Sequence, residues 1–394
     1  MSTLVGVLLF VVPLLALVLG VHALLAYTVA RAFAVTAAGA KLALFLGPLG
    51  ITLGLIFSML LLHVHRNPLT IGYVWLSSVW LGLFANLLLA LAAVWLVVGL
   101  GALVGWAPNL RWLCGAAGVL AVLGLAVGMW NAREPRLTRL DVTLNDLPPA
   151  WKGRTVVHLS DVHVGTLRDE AWLQAIVDRV NALSPDLILI TGDLFDGSAG
   201  GLERFVPALS ALRAAHGVFF VAGNHEGYLG LAEPLRVLAR TPLRVLAYEV
   251  ADVEGLQIVG VPFPEHDHLP PAGTLEALAA RVDRSRASIL LFHTPTDVGV
   301  RYDNRGAQQH RTYLRPDTSF RFAVAAGIDL QLSGHTHQGQ LIPFTWLTRW
   351  LFHGFDYGLH RVGDLQVYTS SGTGTWGPPV RTGSRSEIVV LTLR

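Results

Sequence analysis

The sequence predicts an α/β domain preceded by four apolar helices. Two observations carry this reading. No acidic residue stands before Glu134, so all 27 acidic residues lie in the remainder of the chain. Beyond Thr155, short apolar runs alternate with segments of helical periodicity, and five of those runs end in a cluster of Asp, Asn or His.

The first part is too apolar and too long to be a soluble core. Spans near residues 4–27, 42–64, 74–98 and 112–130 reach the roughly 20 apolar residues that a bilayer crossing needs. The first lacks a basic leader and is longer than a signal-peptide core, so it reads as a retained helix. Tyr73, Trp75, Trp106, Trp112 and Trp130 lie near span ends, where aromatic belts form. Asn86, inside the third span, is expected to hydrogen-bond a neighbouring helix. His63 and His65 read as an interfacial pair, and Cys114 as a small buried side chain. Four spans put both termini on one side. Arg66, Arg133, Arg136, Arg139, Lys152 and Arg154 fall on that side, against Arg31, Lys41 and Arg111 on the other. The positive-inside rule then favours a multi-pass protein with a cytoplasmic C-terminal domain. The expected division is a transmembrane region over 1–131, a connector over 132–149 and one domain over 150–394.

Within the connector, Leu140–Leu144 alternates as a strand does, and Leu147-Pro148-Pro149 breaks the chain. Runs at 155–159, 187–190, 218–221, 289–292 and 328–332 read as strands. Glu170–Leu183 carries Trp172, Ile176 and Val180 at steps of four and reads as a helix ended by Pro185. Segments 202–214 and 232–239 read as further helices, which makes βαβ units.

Each strand run is followed by a motif: Asp161-Val162-His163, Gly192-Asp193, Gly223-Asn224-His225-Glu226, His293, and Gly334-His335-Thr336-His337. Side chains at the carboxyl ends of several strands can converge in one crevice. Asp, Asn and His together suit Mn, Fe or Zn better than a thiolate-seeking metal.

This ordered set resembles the calcineurin-like metallophosphoesterase family over roughly residues 139–394. Two stretches, Ser333–Gln340 and Gly372–Arg381, resemble its membrane-associated bacterial branch, which includes an enzyme cleaving the pyrophosphate of UDP-diacylglucosamine. The resemblance implies a fold of two facing sheets flanked by helices, with two divalent cations. Asp161, His163 and His337 would hold the first cation and Asn224, His293 and His335 the second, with Asp193 bridging. His225, next to a ligand, would face the leaving oxygen or the phosphoryl group, with Asp196 as its carboxylate partner. The family's best-known phosphatases carry Arg after that Asp. Gly197 stands there in this chain, which argues against protein-phosphatase specificity.

Two segments are candidates for substrate choice. The insertion at 296–322 contains Arg301, Arg305 and Arg311, and Arg clusters grip phosphate bidentately. The segment 344–352 is strongly aromatic, and Trp346 and Trp350 suit an acyl chain or a bilayer surface. Glu265-His266-Asp267-His268 reads as a rim loop. The expected function is hydrolysis of a phosphoester or pyrophosphate bond in a lipid-linked or amphiphilic substrate. The alternatives are a soluble nucleotide or small phosphodiester, and a metal-binding membrane receptor without turnover. A nucleic-acid polymer is not expected as a partner.

Overall fold

The structure is a computed structural model and describes residues 3–64, 67–196, 201–264, 271, 273–299 and 315–394. The chain divides into two units, Met1–Gly128 and Met129–Arg394.

The first unit holds α1 (Thr3–Ala32), α2 (Ala38–Val64), α3 (Pro68–Leu103) and the greater part of α4 (Leu110–Arg133). Among the described residues, Leu15–Ala32, Pro68–Leu103 and Leu110–Arg133 are long and apolar enough to cross a membrane. The sequence predicts four such spans. The described apolar part of α2, Ala38–Gly54, falls short of that length. Several polar side chains among these helices find partners, although the buried Ser77 Oγ does not. Asn86 Nδ2 donates to the Ala121 carbonyl at 3.3 Å, the interhelical bond the sequence leads one to expect. Thr52 Oγ1 accepts from Trp80 Nε1 at 2.9 Å and lies 3.0 Å from His22 Nε2. An unpaired polar group in such surroundings would cost several kcal/mol.

The second unit begins inside the last turn of α4 and contains two six-stranded mixed sheets. The strands of the first are β1 (Arg136–Val142), β2 (Thr155–Leu159), β3 (Leu187–Thr191), β4 (Val218–Val221), β5 (Leu243–Val245) and β12 (Glu387–Leu393). Their order is β1-β12-β2-β3-β4-β5. The second sheet uses β6 (Glu249–Val253), β7 (Leu256–Val261), β8 (Ser288–Phe292), β9 (Leu330–Ser333), β10 (Gly358–Val362) and β11 (Leu365–Thr369), in the order β10-β11-β9-β8-β7-β6. The central strands of both sheets run parallel.

Side-chain alternation sorts the core into three layers. Val156, Leu187 and Leu189 of the first sheet meet Ile258, Ile289, Leu291 and Leu332 of the second, which forms the inter-sheet core. Val157, Leu159, Ile188 and Ile190 point the other way, onto α5 (Glu170–Asn181) through Ile176 and Val180. On the far side, Val259, Leu290 and Val367 pack on Leu278, Phe320 and Ala323. Central strands buried on both faces explain why the sequence shows continuous apolar runs there rather than alternation.

Some boundaries differ from the sequence reading. The strand expected at Leu140–Leu144 spans Arg136–Val142, because its partner β12 fixes the register from Arg136↔Glu387 to Val142↔Leu393. The helix expected over 202–214 is a 3-10 turn, Leu202–Phe205, followed by Val206–Ser210.

Candidate metal centre

All five motifs sit immediately beyond the carboxyl ends of β2, β3, β4, β8 and β9, so the inter-sheet packing brings them to one edge. The chain has to turn sharply there. Asp161, His163, Asp193, His335 and His337 all adopt left-handed backbone, with φ from 50° to 71°. Strained backbone at so many chemically equipped positions marks a site rather than a set of ordinary loops. Gly334 is required where the fifth motif crosses the first, since a Cβ there would collide with Ser160 and Asp161. At Gly223 a Cβ would strike Asp193.

The side chains form two adjoining groups. In the first, His163 Nε2 lies 3.0 Å from His337 Nε2, and His337 Nε2 is 3.3 Å from Asp161 Oδ1. The Asp161 carboxylate is aimed by Ser160 Oγ at 2.6 Å and by the His335 backbone N–H at 2.9 and 3.0 Å. In the second, Asn224 Oδ1 lies 3.0 Å from His293 Nε2 and 2.9 Å from His335 Nδ1. Asp193 stands between them, with Oδ2 3.2 Å from His293 Nε2 and 3.7 Å from His163 Nε2. Candidate ligand atoms of Asp161, His163 and His337 lie within 4.8 Å of one another, as do those of Asp193, His293 and His335.

These donors fit two cations sharing a carboxylate. His293 Nδ1 sits 2.7 Å from the Thr191 carbonyl, which can only accept. With a cation bound, a neutral His293 would keep its proton on Nδ1 and turn the Nε2 lone pair into the crevice, the usual arrangement for a ligand His. Without the metal, the charge and hydrogen bond of Asp193 outweigh burial and raise this ring to about 9. The fully buried His163 Nδ1 has no hydrogen-bond partner, and its distance to Asp196 Oδ2 is 3.8 Å. His337 is the exception. Its Nδ1 faces Arg381 Nη2 at 3.1 Å, and a guanidinium only donates.

Without the metal, the electrostatics of the crevice divide its residues. Burial alone would raise the Asp193 pKa, but the charge and hydrogen bond of His293 outweigh it and hold the carboxyl well below its ordinary value. Burial, aided by neighbouring imidazoles, lowers His163 to about 4 and His335 to about 3, so both rings are in the neutral form that a metal needs. Burial also works to lower His225, yet its hydrogen bond to Asp196 and the charge of Asp193 lift it to about 9.

His225 lies at the rim. Its Nδ1 is 3.1 Å from Asp196 Oδ1, and its Nε2 is 4.0 Å from Asp193 Oδ2. The rings of Tyr228 and Trp376, both largely exposed, approach His225 with centroids 5.2 and 6.4 Å away. Phe263 stacks near His335.

Sequence reasoning missed two supports. Glu226, fully buried, accepts from the backbone N–H groups of Gly223, Asp193, Leu194 and Phe195 at 2.8–3.1 Å, clamping the second motif to the third. Arg381, also fully buried, donates to the carbonyls of Ser371, Gly374 and His337. Membership of the quoted motifs was a signal for both residues, but their roles were not readable from it.

The substrate candidates fare unevenly. Arg301, Arg305 and Arg311 lie outside the described residues, as do Gly197, the loop Glu265–His268 and His65. Trp346 and Trp350 fall on an exposed helix, Phe344–Leu351. Phe352, from the same aromatic segment, is instead buried, with its ring 6.3 Å from that of His335.

The calcineurin-like phosphoesterase family model matches residues 154–339. An uncharacterized metallophosphoesterase of Campylobacter jejuni is 34% identical over 280 residues, covering 70% of this chain and 68% of that protein. One from Helicobacter pylori is 32% identical over 266 residues, covering 66% and 64% respectively. A protein of Bos taurus named transmembrane protein with metallophosphoesterase domain is 33% identical over 291 residues, covering 70% and 60%. The chain thus spans about two thirds of the length of these relatives. It belongs to the calcineurin-like metallophosphoesterase family.

Proposed function

We propose that this chain is a membrane-anchored, dinuclear phosphoesterase that hydrolyses a phosphoester or pyrophosphate bond in an amphiphilic, lipid-linked substrate. The observation that supports it most is Asp193, whose carboxylate stands between two groups of donors. Asp161, His163 and His337 would hold one cation, and Asn224, His293 and His335 the other. Two divalent ions of Mn, Fe or Zn would activate a water and neutralise charge on the phosphoryl oxygens.

The residues do the rest. The water oxygen bonds to phosphorus, and the bond from phosphorus to the leaving oxygen breaks. His225, protonated and oriented by Asp196, gives its Nε2 proton to that leaving oxygen. Glu226 keeps the loops carrying Asp193 and Asn224 in register.

The amphiphilic substrate is supported by the aromatic mouth, where Tyr228, Trp376 and the Phe344–Leu351 helix leave apolar surface open to solvent. Three apolar helices and a relative named as transmembrane support anchoring. The basic residues from Arg133 to Arg154 support a cytoplasmic domain.

The test compares kcat/KM of the metal-loaded full chain on a small aryl phosphodiester, a soluble nucleotide and a pyrophosphate-bearing lipid. The lipid should be preferred. Equal kcat/KM for the lipid and its deacylated head group would remove the amphiphile, and bound metal without turnover of any substrate would favour a receptor. A C-terminal alkaline phosphatase fusion should be inactive and a fluorescent fusion bright; the reverse pattern would put the domain outside.

A further inference from the structure

The Phe344–Leu351 helix is amphipathic with its faces reversed. None of its residues is buried. Trp346 is 68% and Trp350 73% exposed, and Phe344 and Leu347 are exposed as well. Residues three and four apart share a helix face, so Trp346, Leu347 and Trp350 make one apolar strip. The half-buried residues are Thr345, Thr348 and Leu351. Thr345 lies against Gly383, and Thr348 Oγ1 bonds the Phe344 carbonyl at 3.1 Å and lies 3.5 Å from Asp356 Oδ2. A helix that turns threonine inward and tryptophan outward is not built to face water.

What covers it is indicated by its neighbours in the second unit. The segment Arg381–Ser386 touches both the base of this helix and the end of α4. Asn131 Nδ2 donates to the Arg381 carbonyl at 3.2 Å, and Ser386 N donates to the Asn131 carbonyl at 3.2 Å. On the other side, Ile342 N donates to Thr382 Oγ1 at 3.3 Å and Gly383 N to the Gln340 carbonyl at 3.1 Å. The aromatic strip therefore starts one short loop from the apolar helix through which the chain enters this domain. Glu134 and Pro135 alone separate α4 from β1. Two residues reach at most about 7 Å, so β1 starts close to the end of α4.

We propose that the Phe344–Leu351 helix lies in the bilayer interface, with Trp346, Leu347 and Trp350 among the lipid head groups and upper acyl chains. Tryptophan favours that zone because its ring is apolar and its N–H finds water. The inference rests on the membrane anchoring proposed above. It adds a consequence for the site, because Gly339, two residues after His337, packs on the backbone of Phe344 and Thr345. The metal loop and the lipid-facing helix are one continuous piece, which holds the crevice at the lipid surface.

The test uses the full chain in lipid vesicles. In a Cys114→Ala background, single cysteines replace Trp346, Leu347 or Trp350, with Leu123 on α4 and the exposed Arg213 as references. Each carries a bimane label. Quenching by lipids bearing a nitroxide high on the acyl chain is compared with quenching by iodide on both sides of the vesicle. Labels at 346, 347 and 350 should be lipid-quenched at least twofold more than the label at 213, and shielded from iodide. If they are quenched by iodide as strongly as 213 while 123 is lipid-quenched, the docking is wrong and the anchoring stands. If 123 is not lipid-quenched, both fall.

Discussion

His225 and Asp196 form a directed pair, with Nδ1 3.1 Å from Oδ1 and the other ring nitrogen turned toward the crevice. His225→Ala should keep both metals and slow turnover by about 10²–10⁴-fold on a substrate with a poor, alkoxide-like leaving group. On a nitrophenyl ester, whose leaving group needs no proton, the loss should shrink. Asp196→Asn should follow the same pattern more weakly. Rate constants across a leaving-group series decide it: a uniform loss would reject proton donation and leave the metal site intact.

Asp193→Ala removes the one carboxylate placed between the two donor groups. Metal analysis of the wild-type chain should give about two equivalents. The variant should fall below one and lose activity. Two equivalents retained in the variant would mean that Asp193 does not bridge.

Arg381 predicts a rearrangement. Because a guanidinium cannot accept, the metal-free neutral His337 takes its hydrogen bond on Nδ1 and carries its proton on Nε2, toward His163. A cation held by that Nε2 displaces the proton, so the contact with Arg381 should lengthen beyond hydrogen-bonding range. A structure of the metal-loaded chain checks this directly. Arg381→Met should destabilise the fold, because the Ser371 carbonyl loses its donor, at about 1–3 kcal/mol for a group left unpaired, while the Gly374 and His337 carbonyls keep Ser386 Oγ and Ser384 Oγ.

His158 gives the domain an acid sensitivity separate from the ligands. Its ring is fully buried with Nε2 2.8 Å from Thr191 Oγ1, and burial lowers its pKa to about 3 from 6.5. The unfolded chain binds the proton first as pH falls. The stability held by the neutral ring is thus complete above pH 6.5 and is lost as pH drops from there toward 3. The slope contributed is at most about 1.4 kcal/mol per pH unit. His158→Gln should flatten the decline of melting temperature over that range, and an unchanged slope would refute the assignment.

The convergence of the five motifs at one edge was legible in the sequence because each motif follows a strand buried on both faces, and such strands write themselves as apolar runs. Glu226 and Arg381 were not legible in the same way. Their partners are backbone amides and carbonyls from other loops, and backbone groups leave no mark in a sequence. Trp350 and Phe352 show a third limit. Both belong to one aromatic stretch, yet one is exposed and the other is buried against the ring of His335. Composition marks such a stretch as apolar without saying which face meets the core. Strand β12 was missed as well, since its place depends on partners at the far end of the domain.

That placement bears on how the protein is made. Strand β12 lies between β1 and β2, parallel to one and antiparallel to the other, and β1 follows α4 almost at once. During synthesis α4 and β1 leave the ribosome long before Glu387–Leu393. Until those residues arrive, β1 and β2 have no shared neighbour. The Glu387 N–H that bonds the Gly372 carbonyl, and the Thr373 and Gly374 N–H groups that bond the carbonyls of Ser160 and Asp161, have yet to settle. The candidate metal crevice is therefore completed late, and until then the nascent domain carries open strand edges that only its last-made strand closes.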